Sequence, residues 1–239
     1  MKIGIIADIH SNLPALEATL ALFATEGCDE IICCGDIIGI GPYPEETVQK
    51  IMSLENAAAV YGNHEGYLMC GMDSSVSSVM GNEEVQFHKW EHSRLSDVSR
   101  RFIESLPPAL AIVRDGVRIS AMHYRMEPDG RYSPILWRAG ADDWDYLFYG
   151  IGADVLIHGH DHRPALRHKD GRLYINPGSL GCPHSIEGFA RAGILEILDG
   201  KPEYRRVEAR YDVGAVLSRM DELECPARLI IKRIFFGTS

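Results

Sequence analysis

Lys2-Ile3-Gly4-Ile5-Ile6-Ala7-Asp8-Ile9-His10 is an apolar run of strand length that ends abruptly in a carboxylate and an imidazole. A short Ile-rich run closed by polar residues reads as a buried β-strand, because a buried helix needs a longer apolar stretch. Met1 to Ala7 passes straight into Asp8 and His10 with no small-residue cleavage site, so it is read as the first strand of the mature fold and not as a signal peptide, in a cytoplasmic protein. Working outward, Leu13 to Thr25 carries Leu13, Leu16, Leu20 and Phe23 at helical spacing, with Asn12 standing as the N-cap. Strand-like runs at Glu30 to Cys34 and Ala57 to Tyr61 bracket an amphipathic stretch, Pro44 to Leu54. This β-α-β-α-β rhythm implies parallel strands in one sheet.

The character changes from Gly66 to about Pro108, where Glu83 to His92 and Asp97 to Leu106, the latter capped by Ser96, predict a helical, cap-like insertion. It reads equally as a lid, a substrate-selecting cap or a dimer surface. Ala109 to Val113 and Val117 to Met122 flank Asp115-Gly116, a hairpin signal. Further short runs at Val155 to Ile157, Leu173 to Ile175, Ala192 to Leu198 and Glu203 to Arg210 predict a mainly antiparallel second half. Residues 213–236 predict a C-terminal helical segment broken at Pro226, and with no linker or repeat in between, residues 1–239 read as a single domain.

Composition narrows the function classes. With 239 residues, 46% hydrophobic and 24% charged, the chain is an ordinary globular protein, without the disorder, repeat or membrane-spanning signature of other classes. A net charge of −10 argues against long nucleic acid as a partner, since phosphate backbones demand Lys and Arg surface. An anionic substrate would then need a bound cation to attract it. The six cysteines, 28, 33, 34, 70, 182 and 225, form no C-x-x-C pair, and six reduced thiols are expected rather than a thiolate metal site.

The polar residues fall in a pattern. Strand-like runs deliver Asp8 and His10, then Asp36, then Asn63 and His64, then His123, then His158, His160 and His162. Active sites of open sheets form where loops converge at the carboxyl ends of strands, so these groups are expected to meet in one cleft. Imidazoles, carboxylates and an amide oxygen suit divalent manganese, iron, zinc or cobalt better than calcium. Asp8, His10, Asp36, Asn63, His123, His160 and His162 are too many ligands for one ion with an open position, and suit two ions about 3.5 to 4 Å apart.

The motifs are D-x-H at Asp8 to His10, G-D at Gly35-Asp36, G-N-H-E at Gly62 to Glu65, a strand-end His123 and G-H-x-H at Gly159 to His162. In this order they resemble the calcineurin-like metallophosphoesterase superfamily, over roughly Met1 to Leu198. Gly41-Pro42-Tyr43-Pro44 and Ile175-Asn176-Pro177-Gly178-Ser179 are similar to its small bacterial and archaeal phosphodiesterases. The resemblance implies an α+β fold, a four-layer α/β/β/α sandwich of two mixed β-sheets packed face to face with flanking helices. It assigns one metal to Asp8, His10, Asp36 and His162 and the other to Asp36, Asn63, His123 and His160, with Asp36 bridging. Two divalent ions, manganese favoured, then leave a cationic site in an acidic protein.

The activity implied by the resemblance is that of a dinuclear metal-dependent phosphoesterase, hydrolysing phosphodiester bonds, and also phosphomonoesters, of a small nucleotide-like substrate through a metal-bound hydroxide. His64 is its leaving-group acid and Asp36 its bridging catalytic carboxylate. The alternatives are a dinucleoside polyphosphate pyrophosphohydrolase, drawing on Arg125, Arg163 and Arg167, and a metal-carrying scaffold with little catalysis. The position three residues after Asp36 holds an acid that orients the catalytic histidine in many relatives, and here it is Gly39. Asn12, Arg125 and His184 are candidate substrate contacts, each set against a plainer role: a helix cap, a solvated arginine, a loop residue. His158 reads as a core histidine, and His88 and His92 read as an exposed helix face rather than a third metal site.

Overall fold

In the first strand, β1 (Lys2–Ile6), alternate residues face opposite ways, and both faces are apolar. That pattern belongs to a strand covered on both sides. The protein, seen as a computed structural model that describes residues 1–71 and 80–238, places β1 in the middle of a five-stranded sheet of order β10-β9-β1-β2-β3. Its other strands are β2 (Glu30–Cys33), β3 (Ala57–Ala59), β9 (Phe189–Leu198) and β10 (Lys201–Arg210). A second five-stranded sheet has the order β4-β5-β6-β8-β7, from β4 (Ala109–Arg114), β5 (Val117–Met122), β6 (Val155–Ile157), β7 (Ala165–Lys169) and β8 (Arg172–Asn176).

The two sheets pack face to face. Ile3, Ile5, Ala7 and Ile32 of the first meet Ile119, Ala121, Val155, Ile157, Leu173 and Ile175 of the second in one buried cluster. The alternate residues look outward: Ile6 and Cys33 pack with helices on one side, while Met122, Leu156 and Tyr174 pack with Trp144 and Phe148 on the other. The result is the expected helix, sheet, sheet, helix layering.

The helices are α1 (Leu13–Glu26), α2 (Pro44–Met52), α3 (Asn63–Cys70), α4 (Asn82–His92), α5 (Asp97–Ser105), α6 (Ala141–Leu147), α7 (Val213–Glu222) and α8 (Arg228–Phe236). Residues 72–79 of the expected insertion lie outside the described residues. Asn12 and Ser96 cap α1 and α5 through their side chains, and Gly27 closes α1 in the left-handed conformation.

The second half is mainly antiparallel, as expected, through the pairs β4-β5, β7-β8 and β9-β10, but β5, β6 and β8 are mutually parallel. Parallel neighbours need a crossover, and the β5-to-β6 connection contains α6, a seven-residue helix without a periodic signature long enough to read. The last two strands also cross over: β9 pairs antiparallel with β1, so chain end and chain start share one sheet.

Candidate metal centre

Parallel strands from both sheets bring their carboxyl ends to a common edge, and the loops after them carry the polar residues. The loop after β1 is tied to the loop after β2 by Asp8 N donating to Gly35 O (3.1 Å) and His10 N to Asp36 O (2.9 Å). The loop after β6 crosses to the other sheet, where His160 N donates to Asp8 Oδ1 at 3.1 Å. Asp8, His10, Asp36, His160 and His162 all have positive φ, between 51° and 76°. Such backbone costs a residue with a Cβ roughly 1 to 3 kcal/mol, and it clusters where side chains must be aimed.

The seven expected ligands come together in two groups. In one, His10 Nε2 lies 2.9 Å from His162 Nε2, and Asp8 Oδ1 lies 3.6 Å from His162 Nε2 and 4.0 Å from His10 Nε2. In the other, Asn63 Oδ1 lies 3.0 Å from both His123 Nε2 and His160 Nδ1, which are 3.1 Å apart. Asp36 belongs to both, its Oδ2 being 3.8 Å from His10 Nε2 and 3.3 Å from His123 Nε2.

The surroundings set up the donor atoms. His10 Nδ1 and His123 Nδ1 lie 3.3 and 2.9 Å from the Ile38 and Cys34 carbonyls, so a proton held there leaves each Nε2 lone pair facing its group. Asn63 Nδ2 donates to Tyr67 Oη (3.3 Å), which turns Oδ1 inward. Burial holds His123 down at about 4 and His160 and His162 at about 3, neighbouring imidazoles adding to the effect on the latter two, while His10 is lowered well below its usual range for the same reasons. These rings are therefore neutral, the form that binds metal. Burial raises the Asp36 carboxyl to about 8, and burial together with Asp36 raises that of Asp8. Buried carboxylates facing neutral imidazole lone pairs fit divalent cations, which would relieve both the desolvation and the repulsion.

His64 Nε2 lies 4.0 Å from Asp36 Oδ2, and His64 N donates to Asp36 Oδ1 at 3.0 Å. Gly39 is the floor under this ring: a Cβ there would run into His64 Nδ1, and its φ is +99°. The ring is held on its other sides by His10 (4.9 Å between centroids), His88 (5.2 Å) and Tyr67 (5.6 Å). Packing orients His64 where a carboxylate would otherwise have done so.

Several side chains have roles that the sequence did not disclose. Glu65, buried, accepts from Asp36 N (2.9 Å), Ile38 N (3.0 Å) and Gly62 N (2.7 Å), clamping two ligand loops together. Tyr132 stacks on His160 with centroids 5.4 Å apart, from a loop that carries no motif. Cys182 stands beside His10 and His162, with its sulfur within 4.8 Å of their ring nitrogens. His88 and His92 are not an exposed face: His88 is buried and His92 half-buried.

The substrate candidates separate. Asn12 is fully buried and its side chain is committed, accepting from Ala15 N and donating to Gly181 O and Tyr211 Oη, so it is a structural cap with no group left for a substrate. Arg125 is half-buried and lines neither cavity at the site. His184 lines a cavity of about 570 Å³ with His160, His162, Arg163, Arg191 and Trp137. A second cavity, about 440 Å³, opens on His64 and His88 between apolar side chains of α4 and α8, including Phe87, Ile231 and Ile234. Phe235 lines both. His158 is enclosed by Trp144, Phe148 and Tyr124, as a core histidine.

Residues 1–199 match the calcineurin-like phosphoesterase superfamily domain. An uncharacterized protein of Methanocaldococcus jannaschii is 29% identical, over 98% of both chains. A phosphodiesterase of the same organism is 26% identical over 87% of this chain and 98% of its own. A hypothetical protein from Pyrococcus horikoshii, 20% identical, superposes with a TM-score of 0.83 over 100% of this chain and 99% of its own, which shows the shared fold.

Proposed function

The chain belongs to the calcineurin-like phosphoesterase superfamily and is a metal-dependent phosphoesterase, and from that premise we propose that it holds two divalent ions and hydrolyses phosphodiester bonds of a small, nucleotide-like substrate. One observation carries the reading: the Asp36 carboxylate is shared between two groups of neutral imidazoles, an arrangement for two cations rather than one. Asp8, His10, Asp36 and His162 would hold one ion, and Asp36, Asn63, His123 and His160 the other. Manganese is favoured among manganese, iron, zinc and cobalt. Ions bound there would supply water activation and neutralisation of phosphate oxygens.

The chain's own residues supply the rest. His64, beside Asp36 and facing the apolar cavity, would give a proton to the leaving oxygen; burial and neighbouring imidazoles hold it well below its ordinary range, so a negatively charged substrate would have to raise it. The organic part of the ester then sits against Phe87, Ile231 and Ile234, while Arg163 and His184 border the side where phosphate oxygens emerge. No helix among the described residues is long and apolar enough to cross a membrane, and six free cysteines fit action in the cytoplasm.

The test is hydrolysis of a chromogenic phosphodiester by chelated protein reloaded with each metal. Turnover should return with metal, and Asp36→Asn should lose it by at least about 100-fold. Full activity in Asp36→Asn would overturn the shared-carboxylate reading. His64→Ala should keep its metal and lose far more turnover on an alkyl ester than on an activated aryl ester, because only the poor leaving group needs its proton. Equal losses would remove the acid role. A second reading, a dinucleoside polyphosphate pyrophosphohydrolase, draws on Arg163 and Arg191 in the larger cavity, and faster turnover of such a polyphosphate than of diesters would favour it.

A further inference from the structure

Helix α4 gathers three ligand-type atoms away from the strand ends. His88, Glu91 and His92 stand three and four residues apart, on one helix face, and each offers a ligand atom within 4.8 Å of the other two. His88 Nδ1, Glu91 Oε2 and His92 Nε2 have no hydrogen-bond partner among the described residues, although His88 is 1% and Glu91 0% exposed. Leaving a buried polar atom unsatisfied costs roughly 1 to 3 kcal/mol, so three in one helical turn demand an explanation.

A simple ion pair does not provide it. His88 Nδ1 and Glu91 Oε2 are 3.8 Å apart, beyond hydrogen-bond distance, and pairing them would still leave His92 Nε2 orphaned. The carboxylate is not free to turn elsewhere either. Its other oxygen, Oε1, accepts from Ser11 Oγ at 2.9 Å and Gly39 N at 2.5 Å, which holds Oε2 toward the two rings. Two histidines at i and i+4 on one helix face have the spacing by which a helix grips zinc, and Glu91 adds a carboxylate oxygen beside them.

We propose that His88, Glu91 and His92 form a third divalent-cation site, taking a zinc-type ion with two imidazole nitrogens and one carboxylate oxygen and leaving an outward position open. Burial keeps the His92 ring neutral, down to about 4, as a ligand must be. The site ties α4 to the loops bearing His10 and Asp36 through Glu91, Ser11 and Gly39. It also sets a positive charge beside His64, whose ring lies 5.2 Å from that of His88, at the head of the apolar cavity. The inference stands whether the strand-end groups hold two ions or fewer.

Zinc content per chain, measured on chelated full-length protein reloaded with zinc and desalted, decides it. Wild type should hold about one equivalent more than His92→Ala, and Asp36→Asn/His123→Ala should retain that one equivalent. X-ray absorption on the double variant should give a shell of nitrogen and oxygen at about 2.0 to 2.1 Å. Glu91→Gln repeats the comparison with the side-chain volume kept, and circular dichroism confirms that each variant is folded. Equal zinc in folded wild type, His92→Ala and Glu91→Gln would overturn the proposal, as would a double variant that retains none. Loss of phosphodiesterase turnover alone bears on the strand-end reading and leaves this comparison intact.

Discussion

At the scale of single residues, Gly39 shows how a missing group is replaced by shape. Its left-handed φ of +99° and the absence of a Cβ let the His64 ring rest directly on the backbone. Gly39→Ala forces the ring aside and adds roughly 1 to 2 kcal/mol of backbone strain. Turnover should fall by about 100-fold, the scale that a misplacement near 1 Å produces, while bound metal is unchanged. Retained turnover would mean that the ring tolerates displacement and that packing does not orient it. The residues of the two groups were legible because most of them interrupt an apolar run at a strand end, where a core has no use for Asp or His. Glu65, His88 and Glu91 were not, because a carboxylate or imidazole inside a helix looks the same in sequence whether it faces solvent or a buried loop.

At the scale of elements, alternation made the strands readable wherever a sheet has two covered faces. Ile119, Ala121, Val155 and Ile157 point into the intersheet core, while Met122 and Leu156 point outward, and the chemistry of both sets is apolar. What failed was β7, an edge strand reading Ala-Leu-Arg-His-Lys with no β-branched residue, and α6, too short for a period. The parallel course of β5 and β6 depends on that short helix, so the crossover between them could not be read from the sequence. Trp144 is the anchor of α6: it is buried, with its ring 4.6 Å from that of His158. Trp144→Ala should lower unfolding free energy in urea by about 3 to 5 kcal/mol. A loss below about 1 kcal/mol would show that α6 is dispensable for holding the outer face.

At the scale of the whole molecule, the site is a store of unfavourable charge that only cations relieve, and stability must follow pH accordingly. His123, His160 and His162 titrate near 4, 3 and 3 when folded but at their ordinary value of 6.5 when unfolded. Below about 6.5 the unfolded chain therefore binds more protons, and stability is lost as pH falls toward 4. Asp36, raised to about 8, works the other way: the folded chain holds a proton that the unfolded chain has released, so stability drops as pH rises from about 4 to 8. Asp8, also raised, acts in the same direction. In the acid window the histidines held low, His10, His64, His92, His123, His158, His160 and His162, outweigh the raised carboxyls of Asp8, Asp36, Glu65 and Asp161, and above it the carboxyls act alone. Chelated protein should thus be most stable in urea near pH 6.5 and lose stability on both sides. Metal loading should shrink the alkaline decline, because bound ions keep Asp8 and Asp36 ionised at no cost, and should steepen the acid one, because protons then compete with the ions for imidazole. A chelated protein more stable at about pH 8 than at 6.5, or an alkaline limb that metal leaves unchanged, would show that the buried carboxyls are not what the ions bind.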